Sequence, residues 1–271
     1  MTTNEILIAL ALLPVIVLMI YIYRQDKYEK EPIKLLLKVF FLGTLCAIPA
    51  IILESLLSAF APGSDFPVFN GLYNGFVVAG FSEELCKLLM LRKAIWKNKN
   101  FNEYFDGIVY AAFVSLGFAG LENVMYVFNQ TDFYQAISTG AVRAVMSVPG
   151  HFLFAVVMGY YFALAKFQPE HRSANMFKAL LYPALLHGTF DALLMIPEGF
   201  EEYEGLIAGV LFVVFIIFDI KLWKIGTKKL RHLQQLSESQ AKETDNFGET
   251  GQGGASNSAP EDPFKGIDWN V

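Results

Sequence analysis

The sequence predicts an all-α fold, a polytopic membrane helix bundle of about seven transmembrane helices. Of its 271 residues, 54% are hydrophobic. Only 17% are charged, against about 25% in soluble globular proteins. Apolar stretches close to the ~20 residues that cross a bilayer recur between residues 5 and 225. The predicted spans are 5–23, 35–60, 70–92, 105–128, 136–165, 177–197 and 204–224.

The first span is predicted to be a retained helix rather than a signal peptide. The residues before it, Met1–Glu5, include no basic side chain, and no small-x-small cleavage site follows the apolar run.

Basic residues in the connections predict the orientation of the spans. The connections after the first, third, fifth and last spans carry Lys and Arg, whereas those at 61–69, 129–135 and 198–203 carry none. Because cytoplasmic loops are enriched in Lys and Arg, we expect the N-terminus outside and the C-terminus in the cytoplasm. The chain is therefore predicted to be a multi-pass protein of the cell membrane, in bacteria the inner membrane.

The composition changes after residue 230. Residues 232–271 hold seven acidic side chains against two lysines, which accounts for the whole net charge of −5. Gly, Ser, Asn and Gln dominate the rest of this segment, which buries too little apolar surface to fold. We therefore predict a transmembrane domain over 1–230 and a disordered cytoplasmic tail over 231–271. The charge pattern gives no indication of nucleic acid binding.

The third span contains two adjacent acids and a lysine, Glu83, Glu84 and Lys87. One ionised side chain at the bilayer centre costs roughly 2.5–3.5 kcal/mol, so such residues usually face a polar cavity and have a function there. Lys87 can reach either carboxylate at helical spacing. We expect one glutamate to pair with Lys87 and the other to face the cavity.

The fourth and fifth spans add an acid and an imidazole. Glu122 lies in the fourth span, and His151 follows Pro149 in the fifth. Proline removes one helical hydrogen bond, which is tolerated beside a cavity or a neighbouring helix. Arg143, Ser147 and His151 recur at four-residue spacing and are predicted to share one helix face.

The sixth span carries His187 and Asp191, four residues apart, so the carboxylate can orient the imidazole or share a cation with it. At ~1.5 Å per residue, Glu83, His151 and His187 all lie near the middle of a ~30 Å hydrocarbon core. The sequence therefore predicts carboxylates, imidazoles and a lysine at one depth, around one water-accessible cavity.

This set of groups suits hydrolysis. A glutamate can take a proton from water that attacks a peptide carbonyl, and a histidine can donate to the developing oxyanion. Alternatively, the same Glu and His side chains could hold a zinc ion whose bound water is acidified. The His-Glu-x-x-His spacing is absent, and no Ser or Cys has a recognisable nucleophile context.

The motifs resemble those of the PrsW family of intramembrane proteases, which is related to the CAAX prenyl protease and Abi group. The resemblance covers roughly residues 1–225. The matching residues are Glu83, Glu84 and Lys87 for E-E-x-x-K, Phe118 and Glu122 for F-x-x-x-E, His151, and His187 with Asp191. The CAAX relatives have His at the end of the second motif, where this chain has Glu122, so the PrsW branch is favoured.

The resemblance implies cleavage of a peptide bond in a membrane-anchored protein, with an anti-sigma factor of a stress-response cascade as the associated substrate. It also implies a site of Glu83, Glu84, Lys87, Glu122, His151, His187 and Asp191. In our hypothesis Glu83 or Glu84 activates water while Lys87 holds the other glutamate. His187 and His151 polarise the carbonyl. Glu122 and Asp191 orient these groups or bind a metal, for which Glu84, Glu122, His151 and His187 are the candidate ligands of a zinc ion.

Two other functions fit part of the pattern. A proton- or cation-coupled transporter would also place acids and histidines at the midplane. A seven-helix sensor that binds a lipid or peptide needs few titratable groups. Neither explains a glutamate pair followed by three further motifs in PrsW order.

Overall fold

The computed structural model describes residues 2–63, 65–197 and 204–250, and every regular element among them is helical. The helices are α1 (Thr3–Gln25), α2 (Ile33–Ser58), α3 (Pro67–Tyr73), a π-helical segment (Asn74–Phe81), α4 (Ser82–Ile95), α5 (Asp106–Phe128), α6 (Phe133–Val145), α7 (Ser147–Phe167), a 3₁₀ turn (Pro169–His171), α8 (Arg172–Met195) and α9 (Glu204–Thr250). The predicted all-α class is confirmed.

Five helical stretches in the described part of the chain are long and apolar enough to cross a membrane: α1, α2, α5, the α6–α7 pair and α9. The other two predicted spans, 70–92 and 177–197, are also helical. They contain the charged and imidazole side chains of the predicted site, which lower their hydropathy.

The centre of the bundle consists of α5 and α7. Both helices are buried along most of their length, and they pack against each other. Around them lie α1 and α2 on the side of α5, and α8 and α9 on the side of α7. Glu122 of α5 and His151 of α7 therefore project from the two most enclosed helices.

The helix ends follow local sequence rules. A capping box of Thr2 and Glu5 starts α1, and the side chain of Asp132 caps α6 by accepting the backbone N–H of Gln135 at 2.9 Å. Pro32 precedes α2 and ends the connection from α1.

The third span runs from α3 through the π-helical segment into α4 without a break. A π-helical stretch widens the turn and is frequently found at functional sites. This segment packs closely against α8: a Cβ on Gly80 would lie 2.7 Å from the backbone nitrogen of Gly188 and 2.8 Å from the carbonyl oxygen of Ala184. The contact brings the start of α4, with its two glutamates, against His187 of α8.

The fifth span is two helices, not the single helix predicted over 136–165. The break lies at Met146, with α6 before it and α7 after it. Pro149 explains the position, because it has no N–H to bond the carbonyl of Val145 and its ring would clash with that carbonyl. Arg143 is therefore on a different helix from Ser147 and His151, although the three side chains line the same cavity.

The predicted disordered tail begins too early, because α9 continues as a helix from residue 231 to Thr250. Leu233 and Ser237 are fully buried, and Leu236 is nearly so. The Ser237 hydroxyl accepts the backbone N–H of Phe105 at 3.0 Å. Apolar residues at helical spacing within this polar segment give it a face that packs on the bundle. Residues 251–271 of the predicted tail, and the predicted outer connection 198–203, lie outside the described residues.

The close packing at Gly80 predicts a specific sensitivity. Gly80→Ala should destabilise the protein by about 1–3 kcal/mol, because the new methyl group overlaps backbone atoms that have no rotamer to change. Thermal unfolding in detergent measures this. The control is Gly209→Ala on α9, where a Cβ meets no atom within 4 Å. Equal unfolding temperatures for the two variants would show that the contact with α8 is not tight.

Candidate active site

The structure brings the seven predicted site residues into one cluster. They come from the start of α4, the second half of α5, the first turns of α7 and the second half of α8. The sequence predicts that these separate spans carry their polar groups at one depth, and in the folded chain the groups are in contact.

The ammonium of Lys87 lies at the centre of the cluster. Its Nζ is 3.0 Å from Glu83 Oε2, 2.9 Å from Glu84 Oε1 and 3.1 Å from His151 Nδ1. The same atom lies 4.2 Å from the ring centroid of Phe118, a cation–π contact. Lys87 therefore holds both glutamates rather than the one that the sequence predicted, and it links α4 to α5 and α7.

The protonation pattern of His151 follows from its neighbours. An ammonium can only donate, so His151 Nδ1 accepts from Lys87 and the ring hydrogen is on Nε2. That Nε2 donates to Glu122 Oε2 at 2.8 Å. The same carboxylate oxygen is 2.9 Å from the guanidinium of Arg143. His151 is thus a neutral imidazole between a lysine and a glutamate.

His187 has a different environment. Its Nδ1 is 3.0 Å from Glu84 Oε1, and its Nε2 is 3.2 Å from Asp191 Oδ2. Since both ring nitrogens face carboxylate oxygens, the ring can donate from both only as an imidazolium. The ring stacks on Phe154 with the centroids 4.8 Å apart, which fixes its plane.

The two glutamates differ in access. A cavity of about 1060 Å³ is lined by Glu83, Glu122, His151, His187 and Asp191, whereas the side chain of Glu84 does not line it. Glu84 is fully buried, and its Oε2 has no hydrogen-bond partner in the described part of the chain. Glu83 is therefore the glutamate of the pair that can reach a substrate or water.

The charges of the cluster almost balance. Four carboxylates, from Glu83, Glu84, Glu122 and Asp191, face two permanent cations. The imidazolium form of His187 adds a third positive charge. One unit of negative charge remains, and it lies where carboxylates line the cavity.

Sequence reasoning missed several residues of this region. Phe154 stacks on His187, and Glu54 and Tyr126 line the cavity. The pairing of the Arg143 guanidinium with Glu122 was also not predicted. Of these residues, only Glu54 could have been identified from the sequence, because it is an acid at the end of the apolar run of α2.

Comparison with known proteins supports the same interpretation. A model of the PrsW family of intramembrane metalloproteases matches residues 31–219, well over half of the chain. This chain belongs to the PrsW family. The matched range contains every residue of the cluster.

Individual relatives extend the match over most of the chain. Protease PrsW from Clostridioides difficile is 41% identical over 230 residues, 83% of this chain and 90% of its own. The corresponding proteins from Geobacillus kaustophilus and Bacillus subtilis are 32% and 30% identical, over 87% and 86% of this chain and 95% and 98% of theirs. No solved structure matches. The chain is therefore a protease and a multi-pass membrane protein, and the transporter alternative is not favoured.

The PrsW family is described as metalloproteases, and the donor set of the cluster fits a metal ion. One ligand atom from each of Glu83, Glu84, His151 and His187 lies within 4.8 Å of the others. These are donors that zinc uses, and Glu84 Oε2 is buried without a partner among the described residues. This set contains Glu83 where the sequence predicted Glu122. A zinc ion held there would acidify a bound water and polarise a carbonyl.

Lys87 competes with a metal at this position, because its ammonium bonds three of the four donors. Lys87→Met should therefore raise zinc affinity by at least about tenfold, since a like charge at this distance opposes a cation strongly. Metal analysis after dialysis against buffered zinc gives the measurement. Lys93→Met, an exposed lysine of the same helix, is the control. Unchanged zinc content in Lys87→Met would show that the ammonium does not occupy the metal position.

Proposed function

We propose that this protease hydrolyses a peptide bond of a membrane-anchored protein with water that Glu83 activates. The observation that carries the proposal is the position of the Glu83 carboxylate, on the cavity and hydrogen-bonded on one oxygen by Lys87. A base needs this combination: access to water, and a fixed position that leaves a lone pair for the proton.

Each step of the proposed reaction uses a group of the cluster. Glu83 takes a proton from water as the water oxygen attacks the peptide carbonyl carbon. The Nε2–H of His187, which faces Asp191 in the substrate-free chain, turns to the oxygen that becomes negative and stabilises the tetrahedral intermediate. The protonated Glu83 then gives its proton to the leaving nitrogen, and the C–N bond breaks. The base returns to its starting state.

The other residues hold these two groups in place. Glu84 accepts from both Lys87 and His187 and so sets the separation of base and oxyanion donor. Asp191 holds the second nitrogen of the His187 ring until the substrate carbonyl oxygen takes its place. Glu122 and Arg143 hold His151 against the ammonium. We assign these residues positioning roles.

We propose that substrates enter from the outer face of the membrane. The cavity is also lined by Glu54 at the end of α2, by Asp65 and Pro67 beyond it, and by Tyr126 and Met195 near the ends of α5 and α8. In the predicted topology these ends face outside. A cavity of about 1060 Å³ is at the upper end of the ~300–1,000 Å³ of typical ligand sites and has room for a short stretch of extended polypeptide.

The substrate we propose is a membrane-anchored anti-sigma factor, whose cleavage would release a stress response. The support is the family resemblance together with a cavity that opens at the membrane surface. We also propose that the chain crosses the membrane seven times, with its N-terminus outside. The protease domain then includes the part of α9 that packs on the bundle.

Sided labelling tests this topology. A cysteine introduced by Thr131→Cys, between α5 and α6, should react with a membrane-impermeant maleimide in intact cells. One introduced by Lys97→Cys, after α4, should react only after permeabilisation. Both positions are exposed. The unsubstituted chain is the background control, since Cys46 is buried and Cys86 is partly buried. The reverse labelling pattern would refute the orientation.

Replacement of the glutamates tests the mechanism. In proteoliposomes with a purified membrane-anchored substrate, Glu83→Gln should lower kcat by about 10²–10⁴, because it removes the base. Thermal unfolding should change less than in Glu84→Gln, since the amide oxygen still accepts from Lys87 and Glu84 still compensates the ammonium.

Glu84→Gln should lower both activity and unfolding temperature, because a fully buried partner of two cations is lost. The control is Glu170→Gln, an exposed acid distant from the cavity, which should leave both unchanged. Full cleavage by Glu83→Gln would exclude Glu83 as the base.

A further inference from the structure

A second group of acidic residues lies at the opposite end of α5 from the active site. Asp106 is the first residue of α5, sixteen residues before Glu122, which corresponds to roughly 24 Å along the helix. Asp26 follows α1, and Glu103 lies in the connection before α5. One carboxylate oxygen from each of these three side chains lies within 4.8 Å of the others.

The three carboxylates are enclosed and form no ion pair in the described part of the chain. Asp26 and Asp106 are fully buried, and Glu103 is partly buried. No Lys, Arg or His within the described ranges forms an ion pair with any of them. The ammonium of nearby Lys30 bonds the backbone carbonyl oxygens of Tyr23 and Asp26 instead. Buried charges are normally paired or coordinate a metal.

Specific oxygens in this group are left without hydrogen bonds. Neither carboxylate oxygen of Asp26 has a hydrogen-bond partner among the described residues, and the same holds for Asp106 Oδ1 and Glu103 Oε2. Asp106 Oδ2, by contrast, accepts the backbone N–H groups of Asn102 at 3.1 Å and Glu103 at 2.7 Å. These bonds fix the Asp106 carboxylate and leave its other oxygen free for a ligand.

We propose that Asp26, Glu103 and Asp106 bind a hard divalent cation, Ca²⁺ or Mg²⁺, separate from the active site. Oxygen-only ligands with several carboxylates select these ions over zinc, which prefers nitrogen and sulfur. The cation would cross-link the end of α1 to the start of α5. It would also fix the connection that bonds α9 through Phe105 and Ser237.

The surroundings favour a cation over a purely structural acid cluster. A fourth acid, Glu31, is almost fully buried nearby and accepts the hydroxyl of Tyr110. Four ionised acids with only the Lys30 ammonium nearby, which forms no ion pair with them in the described part of the chain, would repel one another in a poorly solvated site. A bound divalent ion removes that repulsion and uses the oxygens that lack partners.

Cation binding to the purified full chain tests the proposal. After treatment with EDTA, the protein is titrated with Ca²⁺ alone and with Mg²⁺ alone, and bound ion is measured by equilibrium dialysis. The unfolding temperature should rise by roughly 3–6 °C at a cation concentration ten times Kd. Asp26→Asn and Asp106→Asn should weaken binding at least about tenfold. Glu170→Gln should bind like the unsubstituted chain.

Two further measurements distinguish a cation at this site from a cation in the catalytic cluster and from an acid cluster that binds no ion. Glu84→Gln should keep the cation affinity, which would show that the ion is not in the catalytic cluster. Without cation, Asp26→Asn should unfold at the same or a higher temperature than the unsubstituted chain, because it removes an unpaired buried charge. With cation present, the order of the two unfolding temperatures should reverse.

The proposal is overturned if neither ion binds, or if binding is lost in Glu84→Gln but kept in Asp26→Asn. It is also overturned if the order of the two unfolding temperatures is the same with and without cation.

Discussion

The buried ammonium of Lys87 is the interaction on which the active site depends. It bonds two carboxylates of its own helix and the imidazole of His151 on α7, and it lies against the ring of Phe118 on α5. Breaking a buried charge pair by removing one partner costs about 3–5 kcal/mol, because the other charge is left uncompensated. Each acceptor is therefore held firmly toward Nζ, and three helices are fixed relative to one another. The position of the base, Glu83, follows from this arrangement.

Irregular helix geometry accompanies the contacts between the helices that carry the active site. The π-helical segment and the backbone contact between Gly80 and Gly188 bring α4 close enough to α8 for Glu84 to bond His187. The break before Pro149 separates α6 from α7. Arg143 at the end of α6 pairs with Glu122 of α5 at 2.9 Å, and His151 bonds the same carboxylate from α7. The two local departures from α-helical geometry thus lie next to residues that line the same cavity.

The sequence predicted what depends on local spacing and missed what depends on packing. Lys87 was predicted to reach either glutamate, and His187 to face Asp191, because residues three or four apart share a helix face. The contact of Lys87 with His151 joins residues 64 positions apart, and no local rule contains it. The tail shows the same limit: its composition predicted disorder, but Leu233 is buried because the bundle offers a surface for it.

The chain buries acidic side chains at both ends of α5. The two groups differ in how many neighbouring positive charges balance them, and we infer different roles from this difference. At the active site two permanent cations and an imidazolium leave about one negative charge, which lies on the cavity where a proton can be taken from water. At the other end, Asp26 and Asp106 form no ion pair within the described residues, and their free oxygens are enclosed. A carboxylate that faces water and is nearly balanced can cycle between protonation states, whereas an enclosed carboxylate stays ionised only if a cation compensates it. The same residue type therefore supports catalysis in one place and ion binding in the other.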